Sequence, residues 1–165
     1  MTTKDYSSKQ EHLVADILGW QVVSGSGAAA GHPGDIIGEE WLGECKTHTG
    51  SGHKIFFSKS VWDKIKQEAM VKHRFPVLIT DDGSQKATNT WCLCMRDRFE
   101  NAISIHQPLN ITIRTNISFS GDDMASSAKH IVRLNPGMNP VFDATWGEDE
   151  ISICQLSVFA ELLRE

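Results

Sequence analysis

Residues 25–46 read GSGAAAGHPGDIIGEEWLGECK, and the fold follows from how this stretch pairs with itself. Asp35 opens a short apolar pair, Ile36 and Ile37, and Glu44 follows nine residues after Asp35, leading into Cys45 and Lys46. Between them Gly38, Glu39 and Glu40 read as a tight turn, which makes the segment a hairpin. Side chains alternate along a strand, so Glu44 and Lys46 share one face and Cys45 takes the other. Asp35 then lies across the hairpin beside Glu44. Two carboxylates that close repel each other unless a proton or a cation sits between them. Oxygen donors without a histidine cage suit Mg²⁺ or Mn²⁺ better than zinc. Each residue also has an ordinary structural use: Asp35 in a turn, Glu44 and Lys46 as a cross-strand surface pair.

Outward from the hairpin, residues 7–19 read as a first helix, capped by Ser7 or Ser8, striped by Leu13, Ile17 and Leu18, and ended by Gly19. Trp20 to Ser24 reads as a strand. The loop from Gly25 to Gly34 carries almost no side-chain bulk, which suits either close backbone approach to a phosphate or simple linker flexibility. No Gly-Lys-Ser/Thr follows it, so it is not a P-loop. A second helix is expected from about Ser60 to His73, capped by Ser58 or Ser60, with Val61, Ile65 and Ala69 as its buried seam. Pro76 to Thr80 reads as a buried central strand, Thr90 to Cys94 as the returning strand, and Arg96 to Ala102 as a short helix.

Further on, Leu109 to Phe119 alternates as a half-buried strand, Gly121 to Ser127 is polar loop, and His130 to Leu134 reads as a strand. Asn135 to Pro140 is a turn-rich connector, Val141–Trp146 and Ile151–Cys154 pair across an acidic turn, and Leu156 to Leu163 closes with a helix. The pattern predicts one α/β domain over residues 1–165, a mixed central sheet flanked by helices, long enough to bury its own core.

Apolar residues make up 40% of the chain, without a run long enough to span a bilayer, and the first twelve residues do not resemble a signal peptide. Four irregularly spaced cysteines offer no Cys-x₂-Cys zinc pair, and Cys92 and Cys94 would make an awkward disulfide. Buried reduced thiols in a cytoplasmic protein are the expectation. Net charge is −5, from 16 basic and 21 acidic residues, which weighs against nucleic-acid binding. The basic residues cluster, however: Lys46, His48, His53, Lys54, Lys59, Lys64, Lys66, Lys72, His73 and Arg74 crowd one stretch beside the hairpin.

An Asp followed by Glu-X-Lys at the end of the next strand, here Asp35 and Glu44-Cys45-Lys46, resembles the PD-(D/E)XK nuclease superfamily. The Gly25-Ser26-Gly27 lead-in and Gly34-Asp35-Ile36 most resemble its Holliday junction resolvase branch, of archaeal and phage type. The resemblance covers Lys9 to Asp81. It implies a restriction-endonuclease-like core over about residues 9–100 and a family-atypical, β-rich extension over about 103–165. It further implies a Mg²⁺-dependent endodeoxyribonuclease, working as a two-fold homodimer on branched DNA, whose dimer face would come from residues 103–142. Asp35, Glu44, Lys46 and an early-helix Glu11 would be catalytic, with Asp35, Glu44, Glu11 and the Cys45 carbonyl on the metal. Glu11 has an alternative use as a first-turn acid favoured by the helix dipole. DNA contacts are expected from Ser26, Gly27, His32, Lys54, Lys59, Lys64 and Gln67. Two other functions suit the same residues: a phage or restriction-type nuclease or nickase on linear duplex, and a non-catalytic DNA-binding or assembly subunit.

Overall fold

A computed structural model describes residues 3–23, 33–50 and 52–165. From Asp35 onward the stretch quoted above folds as a hairpin, β2 (Ile36–Ile37) and β3 (Trp41–Thr47) pairing antiparallel with Ile36 opposite Gly43, while residues 25–32 lie outside the described residues. β1 (Gln21–Val22) adds to β2 from outside. Helix α1 (Thr3–Leu18) precedes them and starts one turn earlier than its Ser7/Ser8 cap signal suggests.

From β3 the chain crosses over through β4 (Lys54–Phe57) and α2 (Lys59–Val71) to β5 (Phe75–Asp81), which lies parallel to β3. Such a connection needs a helix to bring the chain back, and α2 provides it. Ser58 is the N-cap, its hydroxyl accepting from the Val61 amide, and Trp62, Ile65 and Ala69 are buried beneath. Next come β6 (Thr90–Met95) and a 3₁₀ turn at Arg96–Phe99, where a short helix to Ala102 was expected.

The remainder comprises β7 (Ser104–Pro108), β8 (Ile117–Ser120), α3 (Gly121–Leu134), β9 (Asn139–Trp146), β10 (Asp149–Gln155) and α4 (Leu156–Leu163). Among the described residues eight strands form one mixed sheet in the order β1-β2-β3-β5-β6-β10-β9-β7, and β4 and β8 form a separate pair. The extension is therefore not an appendage, since β10 lies directly against β6 and carries the sheet onward.

Two expectations fail in this region. Gly121–Leu134 is one helix, not a loop followed by a strand: Ser120 caps it through the Asp123 amide, and Asp122 and Asp123 sit in its first turn. That places a helix where the β-rich reading had strands. Residues 109–116 are not a strand either; Leu109, Ile111 and Ile113 pack on the core from irregular backbone.

Alternation along the strands divides the core into two layers. Leu42, Leu78, Trp91, Leu93, Phe142, Ile151 and Ile153 face α2, α3 and the β4–β8 pair. Trp41, Cys45, Val77, Ile79, Cys92, Cys94, Val141 and Cys154 face α1 and α4. The four cysteines are free and buried. Among the described residues no helix is long and apolar enough to cross a membrane.

The β9–β10 hairpin is tied to α2 by one carboxylate. Asp149 accepts from the Trp62 indole N–H at 2.9 Å and pairs with Lys66. Burial alone would push its carboxyl up, but these bonds outweigh it and hold it below the ordinary value of 3.8. A depressed carboxyl contributes stability present above its unfolded value and lost as pH falls through its folded one. Asp149→Asn should therefore cost about 1 kcal/mol at pH 7, and the difference from wild type should shrink as pH falls below about 4. Denaturant melts followed by Trp fluorescence at the two pH values check this.

Candidate active site

The backbone around Asp35 is shaped by one glycine. Gly34 has φ 73°, and a Cβ there would meet Leu42 Cδ1 at 2.7 Å, so only glycine lets the chain turn this tightly over β3. Its N–H is taken by Glu68 Oε2 of α2 at 3.0 Å. The turn delivers Asp35 to the end of β2, its own N–H bonded to the Gly43 carbonyl. Asp35 Oδ2 then accepts from the Cys45 amide at 2.8 Å. It thereby replaces the ladder partner that β2, already ended, cannot supply.

Glu44 and Lys46 leave β3 on the same face, as alternation requires, and Lys46 Nζ lies 2.9 Å from Glu44 Oε1. Their exposures differ in a useful way. The Glu44 side chain is 6% exposed and that of Lys46 50%, so a buried acid is met by a cation open to solvent. Lys64 of α2 stands 4.0 Å from the same carboxylate oxygen and 3.4 Å from Glu68. Cys45, on the other face, contributes no thiolate, because burial pushes its thiol well above the ordinary range. Its backbone points to the same edge as that of Gly43, and among the described residues the β2 pairing ends at Gly43.

Glu11 reaches the cluster from α1. Its carboxyl is pushed up to about 7, first by burial, then by the charges of Asp35 and Glu44, with Lys46 pulling the other way. Glu44 is raised for the same reasons: burial first, then Asp35, opposed by Lys46 and Lys64. Burial works against the Lys46 ammonium, yet its bond to Glu44 and the surrounding acids raise it above the ordinary lysine value. The cluster holds more negative charge than its lysines offset. Lys46 and Lys64 are the cations that face this concentration of carboxyl groups.

No family model matches this chain. No curated protein and no solved structure matches it either. The assignment of roles rests on the residues themselves.

The structure brings together Asp35, Glu44 and Lys46, with Lys64 beside them and Glu11 within electrostatic reach on α1. It does not bring the other expected DNA contacts to one place. Lys59 is paired with Asp63 and lies over the Trp146 ring, 5.6 Å from its centroid. Five residues apart on a helix, Lys59 and Lys64 point about 140° away from each other. Gln67 lines a surface hollow with Asp63, Lys66, Met70, Arg74 and Pro76, on the Lys59 side of the helix. Lys54 is exposed on β4. Ser26, Gly27 and His32 lie outside the described residues. Among those described, no three His, Cys, Asp or Glu side chains converge closely enough to cage a metal. A bound ion would therefore draw on the Asp35 and Glu44 carboxylates together with a backbone carbonyl and solvent, as Mg²⁺ accepts.

Two supporting residues escape the sequence reading. Gln10 is fully buried, its Nε2 donating to the Lys46 carbonyl at 2.7 Å and its Oε1 accepting from the Thr47 hydroxyl at 3.1 Å. It joins α1, and so Glu11, to the end of β3. The available signal was its place four residues before Val14, a polar side chain on the buried stripe of α1. Glu68 holds both the Gly34 amide and Lys64, and its spacing of four from Lys64 was the sign.

Proposed function

We propose that the chain is a metal-dependent DNA endonuclease with a restriction-endonuclease-like core, acting on branched DNA in the manner of Holliday junction resolvases. The observation that carries this reading is the excess of carboxylate at the end of β3. Asp35 and Glu44 stand together, Glu11 of α1 feels the charge of both, and a solvent-open lysine is bonded to Glu44. A purely structural pair would not need the third acid.

Asp35 and Glu44 would hold Mg²⁺ or Mn²⁺ with the Cys45 carbonyl and solvent, and Glu11 would act on that solvent from α1. Such an ion, when bound, polarises a phosphoryl oxygen and makes its bound water more acidic. Lys46 stays protonated because Glu44 and Asp35 surround it, and from its exposed position it meets the negative charge that develops on the phosphate. Gln10 keeps the strand end and α1 in register while this happens. By resemblance, the products would carry 5′-phosphate and 3′-hydroxyl ends. Cutting two strands of a junction calls for a homodimer. Ile103, Val132 and Leu134, exposed within residues 103–142, offer apolar surface for its face.

The test is a pair of assays. Mg²⁺-dependent cleavage separates the enzyme from a non-catalytic DNA-binding subunit. A four-way junction compared with linear duplex of the same sequence then separates a resolvase from a restriction- or phage-type nuclease. Cleavage of neither substrate overturns the enzymatic reading.

DNA affinity should fall with salt at a log–log slope near −0.9 per phosphate neutralised. Replacing Lys59 and Lys64 together should make that slope shallower, with Lys64→Ala supplying most of the change, because Lys64 stands beside Glu44 and Lys59 points away from it. Titrations at several salt concentrations check it. An unchanged slope in the double variant removes this helix from the interface.

A further inference from the structure

At the opposite end of the sheet from Asp35, strand β7 carries Ser104 and His106 on one face, two residues apart. His106 Nδ1 lies 2.8 Å from Asp143 Oδ2 on β9, and His106 Nε2 lies 3.0 Å from Ser104 Oγ. A carboxylate can only accept, so Nδ1 carries the ring proton and donates it to Asp143. In that tautomer Nε2 presents a lone pair, to which the Ser104 hydroxyl can donate. Two other acceptors stand near that hydroxyl, the carbonyls of Ala102 at 3.3 Å and Phe99 at 3.5 Å, but the imidazole is the closest.

The acid is held as firmly as the base. Asp143 Oδ1 accepts from the Ser152 hydroxyl at 2.6 Å, and Arg96 Nε stands 3.4 Å from Oδ2. Only 13% of the Asp143 side chain is exposed, against 27% for His106. A buried, oriented carboxylate therefore backs an imidazole that solvent can reach, and a half-buried serine faces it. Hydroxyl, imidazole and carboxylate joined in this order are what an activated serine requires.

We infer that Ser104, His106 and Asp143 form a nucleophilic relay that accepts activated acyl donors, the esters of carboxylic acids. Ser104 Oγ would attack the carbonyl carbon while His106 Nε2 takes its proton. The bond to the alkoxide breaks, and that proton leaves with the alcohol. Water, deprotonated by the same imidazole, then attacks the acyl-serine and releases the carboxylic acid, returning the serine its proton. The strand's position supplies a place for substrate. β7 ends the sheet, and its odd-numbered residues turn their backbone to β9: Ile103 accepts from Asn139, and Leu109 donates to Asp143. The His106 amide therefore faces outward, and an extended acyl-bearing chain can lie along this open edge by strand addition.

The test uses the wild-type chain first. It is treated with a fluorophosphonate, which loses fluoride as a serine oxygen–phosphorus bond forms, and the adduct is mapped by peptide mass spectrometry. Release of p-nitrophenol from p-nitrophenyl acetate is followed in parallel. The adduct should map to Ser104, and Ser104→Ala and His106→Gln should each lower ester hydrolysis by about 100-fold or more. Ser104→Ala should melt like wild type, since the change removes only one half-buried hydroxyl. A folded wild-type protein without an adduct at Ser104 overturns the inference, because that result depends on no variant. Ester hydrolysis by Ser104→Ala at the wild-type rate also overturns it. Neither outcome bears on the nuclease reading, which is tested with a different substrate.

Discussion

Glu44→Gln and Asp35→Asn are each expected to remove most Mg²⁺-dependent DNA cleavage while the protein stays folded. Both substitutions keep the shape of the side chain and delete one negative charge. The side-chain carbonyl oxygen that Asp35→Asn leaves in place can still accept from the Cys45 N–H, so the turn after Gly34 keeps its anchor. Glu44→Gln weakens the bond to Lys46 but also relieves the repulsion from Asp35, which with burial holds the Glu44 carboxyl above its ordinary value. The two changes oppose each other, and stability should move by less than about 1 kcal/mol. The loss in rate comes from the ion. A Lewis acid contributes several kcal/mol to stabilising the transition state, so losing its seat costs on the order of a thousandfold. Cleavage time courses at saturating Mg²⁺, beside thermal melts, measure both quantities. Wild-type cutting by either variant removes that residue from the site.

The same residues explain how much of this was legible beforehand. The hairpin could be read because two local signals agree, a turn at Gly38–Glu40 and strand alternation on either side. α2 and β5 were readable for a similar reason, each having one strong period and clear boundaries. The C-terminal helix α4, with its stripe of Leu156, Phe159, Leu162 and Leu163, matched residue for residue.

α3 was missed because Gly121 and the Ser126-Ser127 pair are poor helix formers that mimic a loop. Its stripe of Met124, Ala128 and Ile131 was present, but the loop-forming residues between its members hid the helical period. Leu109 to Ile113 erred the other way, since alternation makes a strand only where another strand stands beside it to take its hydrogen bonds. Partnership of that kind is long-range. Nothing local says that β10 lies between β6 and β9, or that β7 runs parallel to β9 at the sheet's edge. The same limit applied at the site. Asp35, Glu44 and Lys46 could be proposed from spacing and Glu11 from the resemblance, but the Gln10 bridge and the side of α2 that faces Glu44 depend on how α1 and α2 dock.

Lys46→Met is expected to bind a DNA junction, hold Mg²⁺ and scarcely cut. The substitution keeps an unbranched stem of similar length and removes only the ammonium. As a surface partner of Glu44, with half of its side chain in solvent, Lys46 should be worth under about 1 kcal/mol of stability. Folding will therefore tolerate its loss, and Lys64 remains 4.0 Å from Glu44 to offset part of the acid left unpaired. Catalysis should not tolerate it. A preorganised charge aimed at a developing oxyanion is worth about 100- to 1000-fold in rate, and Lys64 leaves from a different element and is already shared with Glu68. The acids stay in place, so metal binding should survive, and the loss should fall on kcat far more than on the affinity for DNA. Single-turnover cleavage beside a binding titration separates the two. A Lys46→Met protein that cleaves within a few-fold of wild type would leave Glu44, Cys45 and Lys46 as an ordinary strand end, with a surface ion pair and nothing more.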